Sequence, residues 1–136
     1  MATLGNLIKN ALFAAAKADT TLWTAIGGRF YFVDAPTGAA KPYVLYGGGI
    51  TSPRHVMGKK KPPATDIPIY FNVYSSTTSS TEAETIQGYI HDVFDDVSMT
   101  GYAEMGMRLG PEITIKEEDT EFWHISITYY AIATKN

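Results

Sequence analysis

The chain of 136 residues contains no cysteine. Disulfides, thiolate nucleophiles and Cys-ligated zinc are therefore excluded, while the redox compartment stays open because such a protein folds in either. Long apolar runs are missing too: nothing approaches the ~20 consecutive apolar residues of a membrane-spanning helix. "ALFAAAKA" (11–18) has the small residues of a signal-peptidase site, but its apolar run from Ala11 to Ala16 is short for a secretory signal. The expectation is a soluble protein made in the cytoplasm.

Catalytic signatures are equally scarce. "GGG" at 47–49 invites a phosphate-loop reading, yet Gly58-Lys59 is followed by Lys60, and Pro53 stands where the first glycine of that loop belongs. Prolines and a strand pattern come next, with no helix N-terminus to hold an anion. Of the three histidines, His55 lies in a basic stretch, His91 on a helix pattern and His124 on the last strand. His91 and Asp95 are four apart and could share a helix face, but no HExxH or comparable ligand set accompanies them. No serine sits in a nucleophile elbow. The sequence predicts neither an enzyme nor a metal or cofactor site.

The size suits one globular domain spanning 1–136, able to bury roughly two-thirds of its unfolded surface. Leu4, Leu7, Ile8, Ala11, Leu12 and Ala15 recur at helical spacing, predicting a helix over about 3–18. "DTTLWTAIGG" reads as a short second helix, capped by Asp19 or Thr20 and ended by Gly27 and Gly28. Strands are predicted at 29–33, 43–47 and 66–75. In the last, Ile67, Ile69, Phe71 and Val73 alternate with Pro68, Tyr70, Asn72 and Tyr74, and Pro68 suggests that the beginning of the strand lies at a sheet edge. Thr81 and Glu84 form a candidate capping box for a helix over about 82–96, with Ala83, Ile86, Ile90, Val93, Phe94 and Val97 as its core stripe. Two extended segments, about 103–116 and 121–134, are predicted to form a hairpin. The expected fold is α+β: a largely antiparallel sheet with two main helices on one face and a long basic loop between strands.

Charge is uneven. Residues 1–68 hold eight Lys/Arg against three Asp/Glu, and residues 69–136 hold three against eleven. If the halves interleave in space the imbalance is incidental, and that reading is slightly favoured; if they do not, the subunit is dipolar and suited to head-to-tail association. The densest basic stretch, "RHVMGKKKPP" (54–63), makes Arg54, His55, Lys59, Lys60 and Lys61 a candidate interaction loop for a neighbouring subunit, another protein or DNA. Its candidate acidic counterpart is Glu117, Glu118, Asp119 and Glu121. Lysines in a loop can neutralise phosphates, and Tyr70 and Tyr74 could stack bases. The chain is acidic overall, however, and carries no helix-turn-helix, zinc-finger or RNA-binding signature. A protein contact is the favoured reading.

The order of segments supplies a further lead. "GGRFYFVDAPTGAAKPYVLYG" follows a Leu/Ala-rich helix; "IYFNVYSSTTSSTEAETI" runs from strand to helix; "FWHISITYYAIA" lies near the end. Through Gly28-Arg29, Ala35-Pro36, Pro42-Tyr43-Val44 and the stretch from Val73-Tyr74-Ser75 to Glu82-Ala83, nearly the whole chain resembles the tail-terminator, or tail-completion, proteins of long-tailed phages. That resemblance implies a structural virion protein of the tail and neck without an active site. It implies a ring, usually a hexamer, capping the tail tube, stopping its polymerisation and docking head-completion proteins while DNA passes through the channel. Another neck or tail-tube ring component, or a small nucleic-acid-binding module using the 54–61 loop, are the alternatives. The triple lysine matches no motif of the family.

Overall fold

The structure, a computed structural model, describes residues 4–48, 52–54, 64–76, 79–95, 102–116 and 122–135. Helix α1 (Leu4–Ala18) and the short α2 (Thr20–Ala25) precede strands β1 (Phe30–Phe32), β2 (Tyr43–Gly48), β3 (Ser52–Arg54) and β4 (Ala64–Tyr74). Helix α3 (Ser80–Phe94) follows, then the long strands β5 (Tyr102–Lys116) and β6 (Trp123–Lys135). The strands form one sheet in the order β1-β2-β4-β6-β5, with β3 added beside β4. Only β1 and β2 run parallel; every other pair is antiparallel. The expected α+β fold, with helices on one face of a largely antiparallel sheet, is the fold found.

Local chemistry explains the helix ends. Asp19 caps α2 by accepting a hydrogen bond from Leu22 N–H at 2.9 Å, and the chain leaves that helix through Gly27 and Gly28 at φ +60° and +75°. Gly28 N–H donates to Trp23 O at 2.9 Å, closing the helix as positive-φ glycines commonly do. The cap of α3 differs from expectation. Ser79, not Thr81, is the N-cap, accepting from Thr81 N–H. The acid that reaches back is Glu82, not Glu84; its carboxylate accepts from Ser76 N–H at 2.6 Å and from Ser76 Oγ at 2.8 Å. The Ser-x-x-Glu pattern is real but begins two residues earlier, because the Ser/Thr run before the helix offers several caps and Ser76 fixes which one pairs with a glutamate.

The core lies between the helices and one sheet face. Leu12 and Ala16 from α1, Leu22 and Ile26 around α2, and Ala83, Ile86, Ile90 and Phe94 from α3 are buried. They meet Phe30, Val44, Tyr46, Ile69, Phe71, Val73, Ile125, Ile127 and Tyr129 from the sheet. Phe71 anchors the centre, its ring 4.6 Å from Phe94 and 5.8 Å, edge-on, from Tyr129. Alternation in β4 and β6 places these residues on one side as expected. β4 as a whole is central, while Pro68 near its start has one open side. Proline is tolerated because it lies between the last residue paired with β2 (Ile69) and the first paired with β3 (Asp66), so β4 has only β6 beside it there among the described residues.

Topology also decides how charge is arranged. The first half of the chain builds α1, α2, β1 and β2 at one side of the sheet, and the second half builds α3, β6 and β5 at the other, with β4 between them. Among the described residues, the basic excess of 4–48 therefore lies on one side and the acidic excess of α3 on the other.

Candidate functional site

Of the candidate basic residues, only Arg54 falls within the described residues, as the last position of β3, opposite Ala64 of β4. His55, Lys59, Lys60 and Lys61 lie outside them, as do Glu117, Glu118, Asp119 and Glu121. The flanking strands still locate both segments. The basic one joins β3 to the start of β4, and the acidic one joins Lys116 to the start of β6, whose residue Trp123 pairs with Lys116. Since Thr65 pairs with Ala133 and Tyr74 with His124, the start of β4 and the start of β6 are opposite ends of the sheet. The eleven residues of β4 separate them by about 33 Å. The strand ends that flank the two segments are therefore far apart.

What the fold assembles is a sheet face left uncovered among the described residues, whose composition depends on a bulge. In sequence, β5 alternates without interruption, with Met105, Met107, Leu109, Pro111, Ile113 and Ile115 separated by Gly106, Arg108, Gly110, Glu112 and Thr114. A regular strand would place all of the first set on one side. Instead Leu109 pairs with Tyr129 and Glu112 with Ile127, so Gly110 and Pro111 together face Thr128. The extra residue inverts the sides. Met107 faces the core, opposite Ala131, whereas Ile113 and Ile115 stand opposite Ser126 and His124 on the uncovered face and are exposed. Gly110 makes the close approach possible, since a Cβ there would lie 2.6 Å from Tyr130 Cε2 and 3.2 Å from Thr128 O. Reading 103–116 as one even segment missed this; the Gly-Pro pair inside a strand pattern was its signal.

Across this face the register aligns Tyr43, Tyr74, His124 and Ile115 in one row and Leu45, Asn72, Ser126 and Ile113 in the next. Tyr74 stacks on His124 with centroids 4.3 Å apart and an interplanar angle of 13°, and His124 Nε2 lies 3.0 Å from Asn72 Oδ1. Tyr70 and Tyr130 stand exposed beside them. The expectation that Tyr70 and Tyr74 lie outward from the core strand holds.

The bulge also turns Glu112 toward the helices, where its carboxylate meets His91 Nε2 of α3. His91 thus pairs with β5 and not with Asp95 one turn on. Asp95 instead accepts a hydrogen bond from the buried Tyr129 hydroxyl at 2.6 Å. Burial, reinforced by that bond and the nearby carboxylates of Asp95 and Glu112, pushes the Tyr129 phenol well above the ordinary tyrosine range. Burial alone raises Tyr46. These contacts fasten β5 and β6 to α3, and no group of three or more His, Asp or Glu among the described residues is placed to hold a metal.

At the opposite edge, Phe13 packs edge-on against Trp23 at 5.5 Å, and Lys9 Nζ lies 4.7 Å from the Phe32 ring centroid. Val33 follows β1 at φ +68°, with its N–H donating to Tyr46 O and the next N–H, of Asp34, turning back to Phe32 O at 2.8 Å. Such a three-residue turn is strained for a β-branched residue. Phe13, Phe32 and Val33 are all exposed.

The described residues offer sheet edges and faces, and the comparisons with known proteins stand beside them. No curated protein matches in sequence. Among solved structures, a chain from the virion of a native gene transfer agent particle superposes with a TM-score of 0.77 at 15% identity, covering 98% of this chain and 99% of that one; the likeness establishes a shared fold. The family model described as tail completion protein gp17 matches residues 10–134. The chain therefore belongs to the tail completion protein gp17 family and is a structural protein of the tail and neck region of a phage-like virion.

Proposed function

We propose that this protein closes into a ring, a hexamer by its resemblance to tail terminators, that caps the tail tube. The ring halts further polymerisation of the tube and offers its free surface to head-completion proteins, while DNA crosses its channel. No catalytic step is required of it. One observation carries this reading: the topology gives the subunit two unlike lateral edges, β1 at one end of the strand order and β5 at the other, running in opposite senses. Unlike edges are what a heterologous, head-to-tail contact requires, and when such contacts close they form rings.

Tails assembled with and without the protein test the proposal. Without it, tubes should run to irregular, excessive lengths; addition of purified protein should stop growth, and negative-stain images should find a ring at one tube end. Tubes of unchanged length and bare ends would overturn the reading. A ring found on heads but never on tails would assign the protein to the neck instead.

A further inference from the structure

We propose that the contact between neighbouring copies joins the β1 edge of one subunit, through Phe13, Phe32 and Val33, to the β5 edge of the next, through Leu109, Ile113 and Ile115. The inference rests on the ring reading and names the surfaces that build it. These six side chains are between 37% and 57% exposed. Apart from Tyr70 and Tyr130 on the uncovered sheet face, they are the large apolar residues left exposed among those described. They fall in two groups at the two ends of the strand order. Four inter-strand steps, about 19 Å in all, keep the groups of one chain apart, so each must find its cover on another molecule.

Three features point to a second copy as that cover. The first is charge. The described stretch 4–48 carries Lys9, Lys17, Arg29 and Lys41 against Asp19 and Asp34. Elements α3, β5 and β6 carry Glu82, Glu84, Asp92, Glu104 and Glu112 against Arg108, Lys116 and Lys135. The 4–48 side thus has a net excess of two basic residues, while α3 supplies a net acidic excess on the other side and β5 itself is balanced; contact between unlike sides sets opposite net signs together. The second is strand direction. β2 and β6 are both antiparallel to β4, β1 is parallel to β2 and β5 antiparallel to β6. β1 and β5 therefore point in opposite senses, so rotation about an axis along the strands sets β5 beside the next β1 in the antiparallel relation favoured in sheets. The third is that a local backbone irregularity sets each group outward, the bulge serving the His91–Glu112 contact as well. The bulge at Gly110-Pro111 turns Ile113 and Ile115 out of line with Met107, and the strained backbone at Val33 is retained at an exposed position.

The cysteine-free sequence makes a direct test possible. Full-length V33C and I113C are prepared separately and as V33C/I113C, assembled on purified tail tubes or at high concentration, and oxidised. The double variant should give a covalent ladder ending at the ring's subunit number. Mixing the single variants should give covalent dimers, while each alone stays monomeric on a non-reducing gel. I113D should lower ring yield at least about tenfold, the loss typical of a disrupted central contact, with the monomer's circular dichroism unchanged. Rings that form, by mass photometry, without the V33C–I113C crosslink would overturn this contact and leave the ring reading standing. Efficient self-crosslinking of either single variant would overturn it in favour of a two-fold contact. Wild-type protein that never assembles on tubes would sink both.

Discussion

Tyr129, buried in the middle of β6, donates its hydroxyl hydrogen to Asp95 Oδ1, the residue that ends α3. A single bond thereby ties the centre of the sheet to the end of the helix above it. Replacing Tyr129 by Phe should cost about 1–2 kcal/mol in urea unfolding, since the bond is to a charged acceptor that water can resolvate. Asp95→Ala should cost at least as much, because the buried hydroxyl is then left without its acceptor. A Tyr129→Phe protein as stable as wild type would mean the bond adds nothing.

The same phenol sets an alkaline limit. Its pKa is raised in the folded state, as is that of Tyr46, so above about pH 10 the unfolded chain loses protons that the native state retains. Stability contributed by keeping these groups neutral is complete below that pH. It should then fall with rising pH, by up to about 1.4 kcal/mol per pH unit for each such group. Denaturant melts from pH 8 to 11 should show a shallower decline for Tyr129→Phe than for wild type. Parallel declines would contradict the assignment.

Gly110→Ala should destabilise the protein by about 1–3 kcal/mol, as over-packing does, because the new methyl meets both the Tyr130 ring and the Thr128 carbonyl. The ring is exposed and can be removed, but the carbonyl cannot. In a double-mutant cycle, Tyr130→Ala should therefore recover part of the loss and not all of it. Full recovery would show that the backbone approach is unimportant; none would show that the ring is.

At the start of α3, Glu82→Ala should be more damaging than Ser79→Ala. Glu82 accepts bonds from both the backbone and the hydroxyl of Ser76, whereas the Ser79 cap is exposed and its bond to Thr81 N–H measures 3.3 Å. Cap loss at Ser79 should fall near the lower end of the usual range of about 0.5–2 kcal/mol. Thermal unfolding of the two variants side by side gives the ranking, and the reverse order would refute it.

Ring assembly should weaken as salt rises from about 0.05 to 0.5 M, because opposite charges meeting across subunits are screened. Changing Lys59, Lys60 and Lys61 together to Ala should leave the fold intact and lower the yield of joined particles. Assembly indifferent to salt would indicate a purely apolar contact, and normal particle yield from the triple variant would remove the lysines from any docking role.

Much of this fold was legible because its strands and helices alternate cleanly. The Ile67 to Val73 run, the helix stripe from Ala83 to Phe94 and the caps around α2 each follow from local periodicity and turn chemistry. The face borne by Ile113 and Ile115 was not, because one extra residue at Gly110-Pro111 reverses sides without altering the alternation itself. Nor could local pattern reveal that β4 lies centrally beside β6, a pairing between residues about fifty or more apart in sequence. His91 looked outward to Asp95 on its own helix and found Glu112 on β5. The family was legible from the order of weak motifs, whereas the surfaces it uses depend on topology.

The extra residue at Gly110-Pro111 acts on every position that follows it in β5. Deleting either residue would restore an even ladder, turning Ile113 and Ile115 toward the helices and Glu112 away from them. One codon therefore decides which surface the last five residues of β5 present, without any of those five being changed.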